Sequence, residues 1–135
     1  MMNEEDILAL AQTLWGEARG EDDEGMTAVC CTIINRFNSK KWYAGETIAE
    51  TCKKPWQYSC WNKSDPNQPK LLRLTYIELK RELEIIKQVT SGVYHDITGG
   101  ATHYYNPKAC NMPKWAIGKV PCYVHGNHLF FKDID

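Results

Sequence analysis

The chain has 135 residues, 43% apolar and 24% charged, which suits one compact domain with one core. Sixteen Lys and Arg against seventeen Asp and Glu leave a formal net charge of −1. That excludes a nucleic-acid binder working through a basic face, and no stretch approaches the ~20 apolar residues of a membrane span, so no stable membrane association is expected.

Asn3 reads as an N-cap, with Glu4, Glu5 and Asp6 in the first turn, where the helix dipole favours anions. Ile7, Leu8, Ala11, Leu14, Trp15 and Ala18 then mark one buried helical stripe, and Gly20 is a stop. The start is acidic and its apolar residues are interrupted, unlike a secretory signal, so the expectation is synthesis in the cytoplasm. A second helix begins near Asp22–Glu24, with Met26, Val29, Cys30, Ile33, Ile34 and Phe37 facing the core. TIAETC (47–52) predicts a short helix, and 54–69, with three prolines and two tryptophans, an ordered loop. Leu72, Tyr76, Leu79, Leu83 and Ile86 predict a long third helix over 70–91. Beyond Gly99-Gly100, THYYNP is β-prone and ends in a turn, and YVHGNHLFF (123–131) reads as a hairpin about Gly126-Asn127. The fold class is therefore α+β, mainly helical, with a small C-terminal β element in a single domain over 1–135.

Five carboxylates fall between Glu17 and Glu24. Asp22, Asp23 and Glu24 are explained as helix-start residues, and Glu21, after Gly20, is expected to be exposed. Glu17 differs: it lies at the margin of the apolar stripe, and Gly16 and Gly20 leave room for a ligand. A carboxyl beside apolar side chains has its ionised form disfavoured, so its pKa rises toward that of a general acid. A salt bridge to Arg19 is the plainer account of the same residue.

The loop Trp56, Gln57, Tyr58, Ser59, Trp61, Asn62 alternates flat and polar groups, which suits sugar rings, a protein partner or a local core equally. His103, Tyr104, Tyr105 and Asn106 form a further cluster, and His125 and His128 flank the hairpin. A His103–His125–His128 metal site has no spacing to support it. Cys60 with His103 is an alternative as a thiol nucleophile. The six cysteines match no zinc pattern and read as free thiols, with a Cys52–Cys60 bridge as the minor alternative.

Taken together, WGEARGEDDEGMTAVCCTIINR, WQYSCWN and GATHYYNP…W…GNHLFFK resemble the SleB/CwlJ family of cell-wall hydrolases, over roughly residues 7–131. Tyr58 stands where that family's loop usually has Phe. The resemblance implies a helical lysozyme-like, lytic-transglycosylase-like catalytic core acting on peptidoglycan glycan strands at the MurNAc-β-1,4-GlcNAc bond, with no cofactor and no metal. It implies Glu17, the first Glu of E-A-R-G-E, as the catalytic acid. Gln57, Ser59 and Tyr104, then Tyr105, Trp61 and Asn106, are the candidates for binding sugar. A lytic transglycosylase needs no second carboxylate, and the only other acid considered, Glu24, is already explained by capping. Muramidase and a non-catalytic glycan-binding module are the alternatives. A monomer is expected, and the missing export signal suits a phage or prophage endolysin released through a holin.

Overall fold

The computed structural model describes residues 2–55 and 57–135; Trp56, from the aromatic loop, lies outside them. Helix α1 spans Glu4–Ala18, and α2 spans Asp23–Ser39. Asn3 caps α1 in a reciprocal box with Asp6, and Asp22 caps α2 by accepting from the Gly25 amide at 2.8 Å. Helix α3 (Ile48–Lys53) is capped by Thr47. A 3-10 turn, Ser59–Trp61, and the short α4 (Gln68–Leu71) follow, then α5 (Lys80–Thr90). No helix of the described residues is long and apolar enough to cross a membrane.

Helix α1 is more central than one stripe predicts. Residues 9–14 are buried without interruption, including Gln12 and Thr13. Their polar groups are satisfied inside: Gln12 Nε2 donates to the Leu71 carbonyl at 3.1 Å, and Thr13 Oγ1 donates to the Ala9 carbonyl at 2.7 Å. The helix is enclosed by α2, α3, α5 and the 3-10 turn.

The long third helix predicted over 70–91 does not form. Its chain is α4, an irregular stretch, then α5, and Leu72 and Tyr76, assigned to the core by periodicity, are more than half exposed. Thr75 and Glu78 account for the break. The Thr75 amide and hydroxyl both donate to Glu78 Oε1 at 3.1 Å, and the Glu78 amide donates back to Thr75 Oγ1 at 3.3 Å. This T-x-x-E box closes a turn over 75–79, where the Leu79 amide donates to the Thr75 carbonyl at 3.1 Å, and α5 begins beyond it with Leu79 as its N-cap; Leu71, Leu74, Leu79, Ile85, Ile86 and Val89 make the buried contacts.

The sheet has three antiparallel strands, β1 (His103–Tyr105), β2 (Tyr123–His125) and β3 (His128–Phe131), in the order β1-β3-β2. Gly126, at φ +56°, makes the two-residue turn of the β2–β3 hairpin. Tyr104 lies opposite Phe130, which lies opposite Tyr123, and His125 lies opposite His128. Because side chains alternate along a strand, these five share one face. His103, Tyr105, Leu129 and Phe131 share the other. The first face joins the main core through Phe130, with β1 against α2. The second forms a separate small cluster of Tyr105, Ala116, Phe131 and Ile134, with Trp115 and Leu129 packed against it.

Candidate active site

Glu17 sits in the last turn of α1, half-buried. Its two carboxyl oxygens meet different elements. The Cys60 amide donates to Oε2 at 3.3 Å, and the Tyr104 hydroxyl donates to Oε1 at 3.5 Å. Burial is the largest influence on its pKa and raises it above the ordinary carboxylate value. The Cys60 thiol, then the Cys60 amide and the Tyr104 hydroxyl, oppose that rise by hydrogen bonding, and the Asp65 carboxylate adds to it. Arg19 does not pair with Glu17. Its guanidinium stacks over Trp15, 4.1 Å from the ring centroid, and Nη1 donates to the Trp15 carbonyl at 3.0 Å.

Gly16 leaves room for the protein itself rather than for a ligand. A Cβ there would stand 2.5 Å from Cys60 Cβ, closer than atoms can approach. The missing side chain thus lets the 3-10 turn descend onto α1 and bring the Cys60 amide to Glu17. At Gly20, by contrast, a Cβ would meet nothing within 4 Å.

The sheet divides the predicted cluster. Tyr104 faces Glu17 and packs its ring against Phe130 and His128, each 5.5 Å away by centroid. Tyr105 points the opposite way, stacked with Phe131 at 5.8 Å and 17°. His103 also turns away: it is buried between Tyr43 and Trp115, with Nδ1 2.9 Å from Thr102 Oγ1. Burial, with Arg36 and Lys41, lowers its pKa to about 3, so it is neutral at physiological pH. The thiol alternative loses its base, and the Cys60 thiol is pushed well up by burial and by Glu17. The three-histidine metal site also fails, because His103 and the hairpin histidines lie on opposite faces. Among the described residues no group of three or more His, Cys, Asp or Glu could hold a metal ion. All six cysteines are free, so Cys52 and Cys60 are not bridged.

The remaining candidates are placed as follows. Gln57 Oε1 accepts from Arg36 Nη1 at 2.9 Å, and its amide NH2 has no partner among the described residues. Arg36 is itself buried, donates to the Thr102 carbonyl at 2.6 Å and lies against the Tyr58 and Tyr43 rings. Ser59 is exposed and adjoins Cys60 in the same turn. Trp61 Nε1 donates to Thr13 Oγ1 at 2.9 Å, and the Lys53 ammonium lies 5.1 Å from its ring centroid. Asn106 folds back locally, accepting from the Lys108 amide at 2.9 Å, as an Asx turn.

The acid cluster is not mere solvated surface. Asp22 and Glu24 reach His125, at 2.7 and 2.9 Å, and Glu24 also accepts from the Tyr123 hydroxyl. Asp23 pairs with Arg81 at 2.9 Å. Glu21, expected to be exposed, is half-buried and lies 3.2 Å from His128 Nδ1. The periodicity of single helices conceals these pairs, because each joins the α1–α2 corner to a strand about a hundred residues away, or to α5.

Residues 20–131 match the cell wall hydrolase family. The chain belongs to that family. Glu17 lies just before the matched segment. The chain is 29% identical over 125 residues to a spore cortex-lytic enzyme of Bacillus subtilis, covering 93% of this chain and 37% of that protein. It is 27% identical over 128 residues to the spore cortex-lytic enzyme of Halalkalibacterium halodurans, covering 95% and 35%. It thus spans little more than a third of the length of these curated relatives. Two solved catalytic domains match nearly end to end. One is that of the germination-specific lytic transglycosylase SleB from Bacillus anthracis, with TM-score 0.70, 26% identity and 97% of each chain covered. The other is that of Bacillus cereus SleB, with TM-score 0.71, 25% identity, and 98% of this chain and 93% of the other covered. The α+β, mainly helical architecture is therefore that of SleB catalytic domains.

Proposed function

We propose that this protein cleaves the MurNAc-β-1,4-GlcNAc bond of peptidoglycan as a lytic transglycosylase, with Glu17 as both acid and base. The observation that carries this reading is the setting of Glu17: one carboxyl, its pKa raised by burial, held by a donor on each oxygen with no cation paired to it among the described residues. A raised pKa enlarges the protonated fraction of Glu17 at a given pH, and in that form it can protonate the glycosidic oxygen as the C1–O bond breaks. The resulting carboxylate is then stabilised by the Cys60 amide and the Tyr104 hydroxyl. It takes the proton from the C6 hydroxyl of the muramic residue while that oxygen bonds to C1, closing a 1,6-anhydro ring and consuming no water. Membership of the cell wall hydrolase family and likeness to the Bacillus anthracis lytic transglycosylase domain support the substrate and the outcome.

Glu24, the alternative second carboxylate, is occupied by His125 and Tyr123. For a hydrolytic muramidase, Asp65, whose charge reaches Glu17, is a candidate second carboxylate. Gln57 and Ser59 are proposed to bind sugar, Gln57 through its amide NH2 to an acetamido carbonyl. Trp61 and Asn106, engaged by Thr13 and by their own turn, are weaker candidates.

Digestion of purified sacculi with mass spectrometry of the products tests the reading. Anhydro-muramic ends are expected, and none from Glu17→Gln. Reducing muramic ends would establish the muramidase instead, and clearing by Glu17→Gln at the parental rate would remove Glu17 from the chemistry. The endolysin role is decided by coexpression with a holin: lysis that depends on the holin supports it, and lysis without one argues against it.

A further inference from the structure

Glu17 and Glu21 are four residues apart, across the corner where α1 ends, and both reach the sheet. Glu17 meets Tyr104 on β1. Glu21 Oε1 lies 3.2 Å from His128 Nδ1 on β3. The two contacts are joined through the aromatic rings: His128 packs edge-on against Tyr104, centroids 5.5 Å apart at 76°. Neither partner of the pair is free to drift, since the side chains of Glu21 and His128 are only 29% and 15% exposed. The Glu21 backbone is itself fixed, its amide donating to the Ala18 carbonyl at 3.0 Å and its carbonyl accepting from Arg81. Beyond it the hairpin turn closes over the carboxylate, so that a Cβ on Gly126 would stand 3.9 Å from Glu21 Oε1.

We propose that Glu21 and His128 are positioning residues that hold the Tyr104 ring so that its hydroxyl meets Glu17. The inference rests on the reading of Glu17 as the acid. The hydroxyl is at 3.5 Å, at the limit of a hydrogen bond, so a small rotation of the ring removes it. Phe130 supports the other side of Tyr104 but is apolar and offers no direction. The Glu21–His128 contact is the polar tether that fixes the His128 ring on which Tyr104 leans. The neighbouring pairs of His125 with Asp22 and Glu24 secure β2 and do not touch Tyr104.

The test compares the intact protein with Glu21→Ala, Glu21→Gln, His128→Phe and His125→Gln, with Glu17→Gln alongside. Rates of sacculus clearing are measured against substrate concentration and pH, and folding is checked by thermal melting. Glu21→Ala and His128→Phe are expected to lose about tenfold in kcat with little change in KM, because the loosened ring misplaces one donor. The alkaline limb of the pH profile should move to higher pH in both. Among the groups around Glu17, Tyr104 and Cys60 lower its pKa and Asp65 raises it, so weakening the Tyr104 bond raises it further. Glu21→Gln keeps an oxygen to accept from Nδ1–H and should retain most of the activity. His125→Gln should keep kcat and the pH limb.

Parental kcat and an unshifted limb in Glu21→Ala would overturn the proposal. So would a Glu21→Gln as inactive as Glu17→Gln, since Glu21 would then be a reacting acid. Should Glu21→Ala fail to fold, Glu21→Gln against His128→Phe makes the same distinction. Activity persisting in Glu17→Gln would instead overturn the underlying reading, whatever the Glu21 variants do.

Discussion

The two faces of the small sheet use similar residues for different ends. One carries Tyr104, Tyr123, His125 and His128, all turned to carboxylates of α1, α2 and the corner between them. The other carries His103 and Tyr105, buried against Tyr43, Trp115 and Phe131 with no carboxylate among their partners. A one-residue step along HYY exchanges a residue that touches the acid for one that fills a satellite core. Residue type therefore says little about function here, and strand phase says a great deal.

The comparison is broken most severely at a position outside the sheet. Gly16→Ala places a Cβ inside the Cys60 side chain, so the 3-10 turn must lift from α1. A stability loss of about 1–3 kcal/mol is expected from overpacking, and the displaced Cys60 amide should lower activity more than the melting temperature alone explains. A fully active variant would show that the amide is not needed at Glu17. Tyr105→Ala should cost about 3 kcal/mol, as for other large aromatic truncations, with kcat per folded molecule unchanged. Tyr104→Phe is the mirror experiment. It keeps the packing and removes the hydroxyl, so stability should hold while kcat falls about tenfold and the alkaline limb rises. A matching pair of results from Tyr104→Phe and Tyr105→Phe would erase the distinction between the faces.

The histidines of the two faces should answer pH with opposite sign. His103 has a folded pKa near 3, below its ordinary 6.5. The unfolded chain therefore binds a proton that the folded chain refuses, and stability falls as pH drops from about 6.5 toward 3, by up to about 1.4 kcal/mol per unit. His125 has its pKa raised, first by its hydrogen bond to Asp22. Its contribution is complete below 6.5 and is lost as pH rises through the folded value. Denaturant titrations across pH should therefore flatten on the acid side in His103→Phe and on the alkaline side in His125→Gln.

Much of this was legible before the structure. The caps at Asn3 and Asp22, the short helix at 47–52 and the hairpin about Gly126 follow from local chemistry and formed where the sequence puts them. The break at 72–79 was legible too, in Thr75 and Glu78, but a helical spacing of leucines overrode that signal. The site itself was less accessible. Tyr104 could be separated from Tyr105 only once the inward face of β1 was known. One of the two Cys60 groups that act on Glu17 is a backbone amide, and residue type carries no trace of it. The role of Gly16 depends on which element lies opposite. Glu21 looked exposed because its partner, His128, is 107 positions away.

Asp65 sharpens the comparison at its smallest scale. It lies on the loop beyond the 3-10 turn, its Oδ1 accepting from the Asn67 amide at 2.8 Å, and its negative charge helps to raise the pKa of Glu17. Asp65→Asn removes a negative charge while retaining the carbonyl oxygen for that turn. Removing a like charge eases ionisation of Glu17, so its pKa falls and the alkaline limb moves to lower pH, opposite to the shift expected for Tyr104→Phe. The Asp65 influence ranks below burial and both hydrogen-bonding partners, so the displacement should be the smaller of the two. If Glu17 works alone, the products keep their anhydro ends and kcat at the optimum barely changes. Loss of activity with reducing ends in the parent digest would instead make Asp65 the second carboxylate of a hydrolase.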